Sequence, residues 1–167
     1  MNENDEDLKD AITKWNEGRY CLEEIADMAR EFGKRGYQEG VPVLIQLLEH
    51  DDAIIRYNAV KSLGYGLHHR PATEKLLAML ARDSDEDVRD VVAGALNILW
   101  QGSGNPLVLQ ALGEAALHDP DEDVRRSAYK DLLIVNGVPR EEHLELLTGE
   151  PLSVDPKKVE MILSRTL

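Results

Sequence analysis

Along most of the chain the apolar residues recur at steps of three and four, the spacing that lines one face of an α-helix, and no stretch alternates with the period of two that a half-buried strand requires. Leu8, Ile12 and Trp15 predict a helix over residues 5–17, broken by Gly18. Leu22, Ile25, Met28, Ala29 and Phe32 predict a second over residues 21–33. Three further amphipathic runs cover residues 41–50, 72–82 and 106–118, with Pro42, Pro71 and Pro106 at or beside their starts, where a proline costs no intrahelical hydrogen bond. Each run leads into an acidic turn and then another helix. Past Gly137, a short helix from Val138 to about Leu147, a turn over 149–153 and a last helix opened by Asp155-Pro156 complete the pattern, and residues 1–4 read as frayed.

The turn-helix segments are versions of one text. HDDAIIRYNAVKSLGYG occupies residues 50–66, DSDEDVRDVVAGALNIL residues 83–99 and DPDEDVRRSAYKDLLIV residues 119–135, and they align on Arg56, Arg89 and Arg125. Self-similarity at this period marks stacked repeats. An Asp precedes each Arg by four residues: Asp52, Asp85 and Asp121. Asp suits the N-cap, where its carboxylate accepts an orphan backbone N–H, and it stands one helical turn from the Arg, within reach of an ion pair. From the apolar residue before each Arg, steps of four, eight and eleven give Ile55, Ala59, Leu63 and Gly66, then Val88, Val92, Leu96 and Leu99, then Val124, Ala128, Leu132 and Val135. These are predicted to face the core. Copy one departs with Ile54 where the others have Asp87 and Asp123. Copy three departs with Asp131 where the others have Ser62 and Ala95, at a position that faces the stack.

These residues resemble HEAT repeats, and more narrowly the short HEAT-like repeats of phycobilisome lyases, through the signature met by Asp85-Glu86-Asp87-Val88-Arg89 and Asp121-Glu122-Asp123-Val124-Arg125. The resemblance covers about residues 40–137 and implies an all-α fold, a short right-handed α-solenoid of about five antiparallel helix pairs. The expected organisation is a single domain over 1–167, with an N-terminal cap pair at 1–39, three repeats at 40–137 and a C-terminal cap pair at 138–167. Arg56, Arg89 and Arg125 are expected near the repeat junctions, close to Asp52, Asp85 and Asp121. In such stacks the second helices line the concave side.

Charge narrows the partners. With 32 acidic and 19 basic residues the net charge is −13, which argues against a nucleic-acid phosphate backbone and permits a basic protein. The opening MNENDEDLKD lacks the basic and apolar regions of a secretory signal, and no apolar window is long enough to span a bilayer, so the expected location is the cytoplasm. Cys21, the only cysteine, is expected as a partly buried apolar residue.

No constellation points to catalysis. Asp83, Asp85 and Asp87 mimic the opening of a calcium loop, but Val88 and Gly94 stand where that loop needs Gly and Glu. The histidines form no paired metal motif, and neither a phosphate loop nor a nucleophile elbow is present. The expectation is no cofactor, no metal and no enzymatic activity. What remains is surface. Positions one, five and eight or nine after each Arg point away from the apolar stripe, and of these Tyr57, Lys61, Tyr65, Asn97, Arg126 and Lys130 form the candidate partner-binding strip. The tyrosines read equally as covers of the junction with the N-terminal pair. The function expected is a non-catalytic binding module that presents a concave groove to a protein or peptide. One alternative is an acidic inhibitor or immunity-type protein that neutralises a basic toxin. The other, implied by the lyase resemblance, is a bilin lyase subunit, for which Cys21 is a poor anchor.

Overall fold

The computed structural model describes residues 6–139 and 153–165, and every regular element among them is helical. The helices are α1 (Glu6–Asn16), α2 (Leu22–Lys34), α3 (Val41–Leu47), α4 (Ala53–Lys61), α5 (Thr73–Arg82), α6 (Glu86–Trp100), α7 (Pro106–His118), α8 (Glu122–Val135) and α9 (Pro156–Leu163). The expected frayed start, most of the expected 138–147 helix and most of the 149–153 turn lie outside the described residues. The chain forms two compact units, Met1–Ala72 and Thr73–Leu167.

In the first unit α1 pairs with α2 and α3 with α4, and α2 packs along α4. Ile25, Met28, Ala29 and Phe32 of α2 are buried with Ile55, Ala59 and Leu63. Leu22 departs from the expected stripe: it opens α2 and is 55% exposed. Cys21 is likewise corrected from partly buried to exposed, because it stands at the N-cap of α2, where its backbone N–H donates to Glu24 Oε2 at 2.9 Å. Where α2 meets the segment Ser62–Gly66 that follows α4, the approach is too close for a side chain at two points. A Cβ on Gly33 would lie 2.4 Å from Ser62 Oγ, and one on Gly66 would lie 2.5 Å from the Gly33 carbonyl oxygen. At this contact Ser62 donates its hydroxyl to the Ala29 carbonyl at 2.7 Å. The helix expected to run unbroken to Gly66 instead widens into a π-turn over Ser62–Gly66, closed by the bond from Leu67 N–H to the Ser62 carbonyl at 2.8 Å.

In the second unit α5 pairs with α6 and α7 with α8, while α6 packs on α8 and α5 on α7. Val88, Val92, Leu96 and Leu99 face Val124, Ala128, Leu132 and Val135 in a core that excludes water. Trp100 at the end of α6 donates its indole N–H to Thr73 Oγ1 at 3.0 Å, which fastens the end of one helix to the start of its pair. The α6–α7 loop is tied down: Gly102 N–H donates to the Ile134 carbonyl (3.1 Å) and Gly104 N–H to that of Val135 (3.0 Å). The Val135 carbonyl is one that the end of α8 leaves orphaned, while that of Ile134 also accepts from Gly137 N–H at 3.0 Å. α9 packs on α7, with Leu163 over Gly113.

Candidate protein-binding surface

The acidic turns set where each second helix begins. Asp52 accepts the N–H of Ile54 (2.8 Å), Asp85 that of Val88 (3.0 Å), and Asp121 those of Asp123 (2.9 Å) and Val124 (3.0 Å). The residue six before each Arg does two further things. Its side chain accepts the backbone N–H of the capping Asp, at His50 Nδ1 (3.0 Å), Asp83 Oδ1 (3.1 Å) and Asp119 Oδ1 (2.9 Å). Its carbonyl accepts from the guanidinium, at 2.9 Å from Arg56, 2.9 Å from Arg89 and 2.7 Å from Arg125.

Each Arg stands close to the Asp four residues earlier through a helical backbone bond, from Arg56 N–H to the Asp52 carbonyl at 3.2 Å, Arg89 to Asp85 at 3.1 Å and Arg125 to Asp121 at 3.2 Å. Asp52, Asp85 and Asp121 direct their carboxylates to backbone N–H groups, and each guanidinium reaches past them to the turn's carbonyls. Arg89 finds its carboxylate one repeat on. Its Nε donates to Asp119 Oδ2 at 2.8 Å and its Nη2 to Asp119 Oδ1 at 2.9 Å, a two-pronged pair with both residues buried.

The six predicted contact residues divide between the units. In the first, the Lys61 ammonium sits over the half-buried Tyr57 ring, 5.6 Å from its centroid. Tyr65 is 38% exposed and shares with Lys61, Arg30 and Lys34 a cleft of about 380 Å³ over Gly33 and Ser62. In the second unit the predicted residues are already engaged. Asn97 Nδ2 donates to Asp131 Oδ1 at 2.8 Å, and Lys130 Nζ lies 3.8 Å from the same oxygen. Arg126 pairs with Glu122 and, at 3.0 Å, with Asp123. These three residues, placed off the apolar stripe, have intramolecular partners. Asn97 and Lys130 serve a carboxylate buried between α6 and α8, and Arg126 braces the first turn of α8. Asp131 itself is 1% exposed, and burial pushes its pKa up to about 6 against the opposing effects of Lys130 and Asn97.

A different surface of α6 and α8 is open. Glu86, Asp87, Asp90, Asp121 and Asp123 line a cleft of about 530 Å³, with Arg126 and Ser127 among them. The repeat text held this signal, because the acids that follow the capping Asp recur in copies two and three. A second cleft of about 410 Å³ lies between α5 and α7, walled by Leu80, Ala115, Glu114 and His118 beside the Arg89–Asp119 pair. Among the described residues, no group of three or more His, Cys, Asp or Glu side chains could hold a metal ion. Nor is any described helix long and apolar enough to cross a membrane.

The repeating caps, the Arg reaching into its own turn and the pairwise packing of helices are accompanied by a direct match. A family model for HEAT repeats matches residues 23–97 and again residues 41–133. The chain belongs to the HEAT-repeat family. No curated protein matches it. The first HEAT match begins at Glu23, inside α2, so it takes in a helix that lacks the Asp-to-Arg signature. What α2 shares with the later HEAT helices is its packing against the following second helix, through Ala29, Gly33 and Ser62. Asp119 was the functional group that sequence reasoning missed. The signal was the acid or His six before each Arg, visible at His50, Asp83 and Asp119 once the copies are aligned.

Proposed function

We propose that this HEAT-repeat chain is a non-catalytic protein-binding module whose partner is a basic protein or peptide. The observation that carries the reading is the open cleft between α6 and α8, where five carboxylates stand around Arg126. HEAT repeats are generally interaction modules, and the net charge of −13 attracts a cationic partner over distance. Within this reading the second-helix residues divide by job. Asp87, Asp90 and Asp123 supply complementary charge. Tyr57, Lys61 and Tyr65 supply an aromatic-cationic contact on the first unit. Asn97, Arg126 and Lys130 hold the surface in shape. The same acidic cleft suits an inhibitor that caps a basic toxin, which differs from a scaffold only in what the bound partner loses.

The experiment is capture of partners by the immobilised chain, repeated with a variant carrying Asp87→Lys, Asp90→Lys and Asp123→Lys. The expected result is a basic protein that the parent holds and the variant releases, with an association rate that falls as salt is added. Equal retention by a variant of unchanged melting temperature would overturn the reading. Loss of the partner's own activity on binding would favour the inhibitor over the scaffold.

A further inference from the structure

We propose that the cleft between the N-terminal ends of α2 and α4 is an anchor site for an apolar side chain carried in a Lys/Arg-rich peptide segment. The proposal rests on the protein-binding reading and names a second site for it, in the first unit. Two of the large exposed apolar side chains meet here: Leu22 is 55% exposed and Ile54 is 67% exposed. With Ala26 and Ile55 they form the apolar part of a cleft of about 250 Å³, and Glu23, Asp27 and Asp52 rim it. Single exposed apolar residues are ordinary, but a pair framing one cleft inside an acidic rim marks a contact surface.

The pattern of the repeat sharpens the point. Copies two and three carry Asp87 and Asp123 where copy one carries Ile54, so the exposed apolar residue replaces the side chain that the turn otherwise uses there. The fold gives Ile54 no core role, since the buried stripe runs through its neighbour Ile55. Nor does the helix start need it. The second position of α4 favours an acid, which is what the other copies have.

Charge complementarity selects the occupant. Asp52 is committed to the N–H groups of Ile54 and Ile55 and Asp27 to Arg30, yet each keeps its charge at the rim, and Glu23 adds a third. A side chain of Leu or Ile size, flanked by Lys or Arg, fills the cleft and meets that rim. An acidic or purely apolar segment does not.

Ile54→Asp separates anchoring from simple charge attraction, because the two predict opposite signs. The probes are two fluorescein-labelled peptides of equal charge on the intact chain at low salt, one alternating Lys with Leu and the other Lys with Ser. The Lys/Leu peptide is expected to bind more tightly than the Lys/Ser peptide. Ile54→Asp should weaken Lys/Leu binding about ten-fold, the loss of one well-buried aliphatic contact, even though it adds a negative charge. The Lys/Ser peptide should bind the variant equally or more tightly, and Ile54→Leu should retain the parent's preference. A circular dichroism melt like the parent's confirms that Ile54→Asp folds.

Unchanged or tighter Lys/Leu binding by Ile54→Asp overturns the proposal, and so does the absence of binding by either peptide. If Asp87→Lys with Asp90→Lys and Asp123→Lys abolishes peptide binding while Ile54→Asp does not, this site is wrong and the protein-binding reading stands. Concentration-dependent self-association that Ile54→Asp removes, with peptide affinity unaltered, would make a second copy of the chain the occupant and also overturn it.

Discussion

Arg89 and Asp119 are 30 positions apart in sequence and form a buried ion pair in the second unit. Each is held by more than the other: Arg89 also donates to the Asp83 carbonyl, and Asp119 also accepts the N–H of Asp121. Removing one partner leaves a buried charge with part of its hydrogen bonding lost, which is worse than removing both. We expect Arg89→Ala or Asp119→Ala to cost about 2–4 kcal/mol, and the double variant to cost less than the sum. Urea midpoints measure this, and strict additivity would show that the pair is not coupled. Asp131 gives a prediction of opposite sense. Its folded pKa of about 6 lies above the ordinary value of 3.8, so the folded state binds this proton more tightly than the unfolded state. The stability this group contributes is present at low pH and is lost as pH rises through about 6. Asp131→Asn keeps the acceptor for Asn97 without the charge. It is expected to match the parent at about pH 3, below the ordinary value of 3.8, and to exceed it increasingly up to pH 7.5, by on the order of 2 kcal/mol. A variant weaker than the parent at pH 7.5 would show that attraction to Lys130 outweighs the burial of the charge.

At the scale of helices, the contact between α2 and the π-turn that continues α4 depends on the absence of side chains at Gly33 and Gly66. Ala at Gly33 would place its methyl 2.4 Å from Ser62 Oγ, and Ala at Gly66 would place its methyl 2.5 Å from the Gly33 carbonyl oxygen. A helix interior otherwise gains from Gly→Ala, so the sign is informative. We expect Gly33→Ala to destabilise by about 1–3 kcal/mol through overpacking, read as a lower urea midpoint. A stabilising result would mean that the two helices part without cost. What was legible at this scale is what the chain writes locally. Helix starts, buried stripes and the repeat unit all rest on partners within about one helical turn or on a recurring phrase. Two departures from that phrase were also legible, Ile54 and Asp131, but only burial separated them: one projects into solvent and the other lies between α6 and α8. Asp119 as the partner of Arg89 was not legible, because Asp85 offers the same charge at the nearer spacing. The choice is made by the capping bond to Val88, which engages Asp85 first. The π-turn at Ser62–Gly66 and the tethered glycine loop depend on contacts from other helices, so a local pattern carries neither.

For the molecule as a whole, charge acts on stability and on binding in opposite directions. An excess of 13 negative charges repels itself in the compact state, while the same excess draws a cationic partner. The ion pairs at the surface offset little of this, since pairs such as Lys34–Glu31 and Arg126–Asp123 are solvated. The Arg89–Asp119 pair is buried and therefore less sensitive to salt. Raising the salt from about 20 to about 200 mM shortens the screening length to less than half, which weakens repulsion between carboxylates on neighbouring turns more than it weakens the buried pair. The melting temperature is therefore expected to rise over this range by about 2–4 °C, the equivalent of roughly 1 kcal/mol for a chain of this size. The affinity for a basic partner should fall over the same range, because association loses its long-range attraction. Calorimetry on the chain alone and titration with the Lys/Leu peptide read the two effects separately. A melting temperature that falls with salt would show that attractive ion pairs outweigh the net repulsion, and the acidic surface would then be part of what holds the helices together as well as what meets a partner.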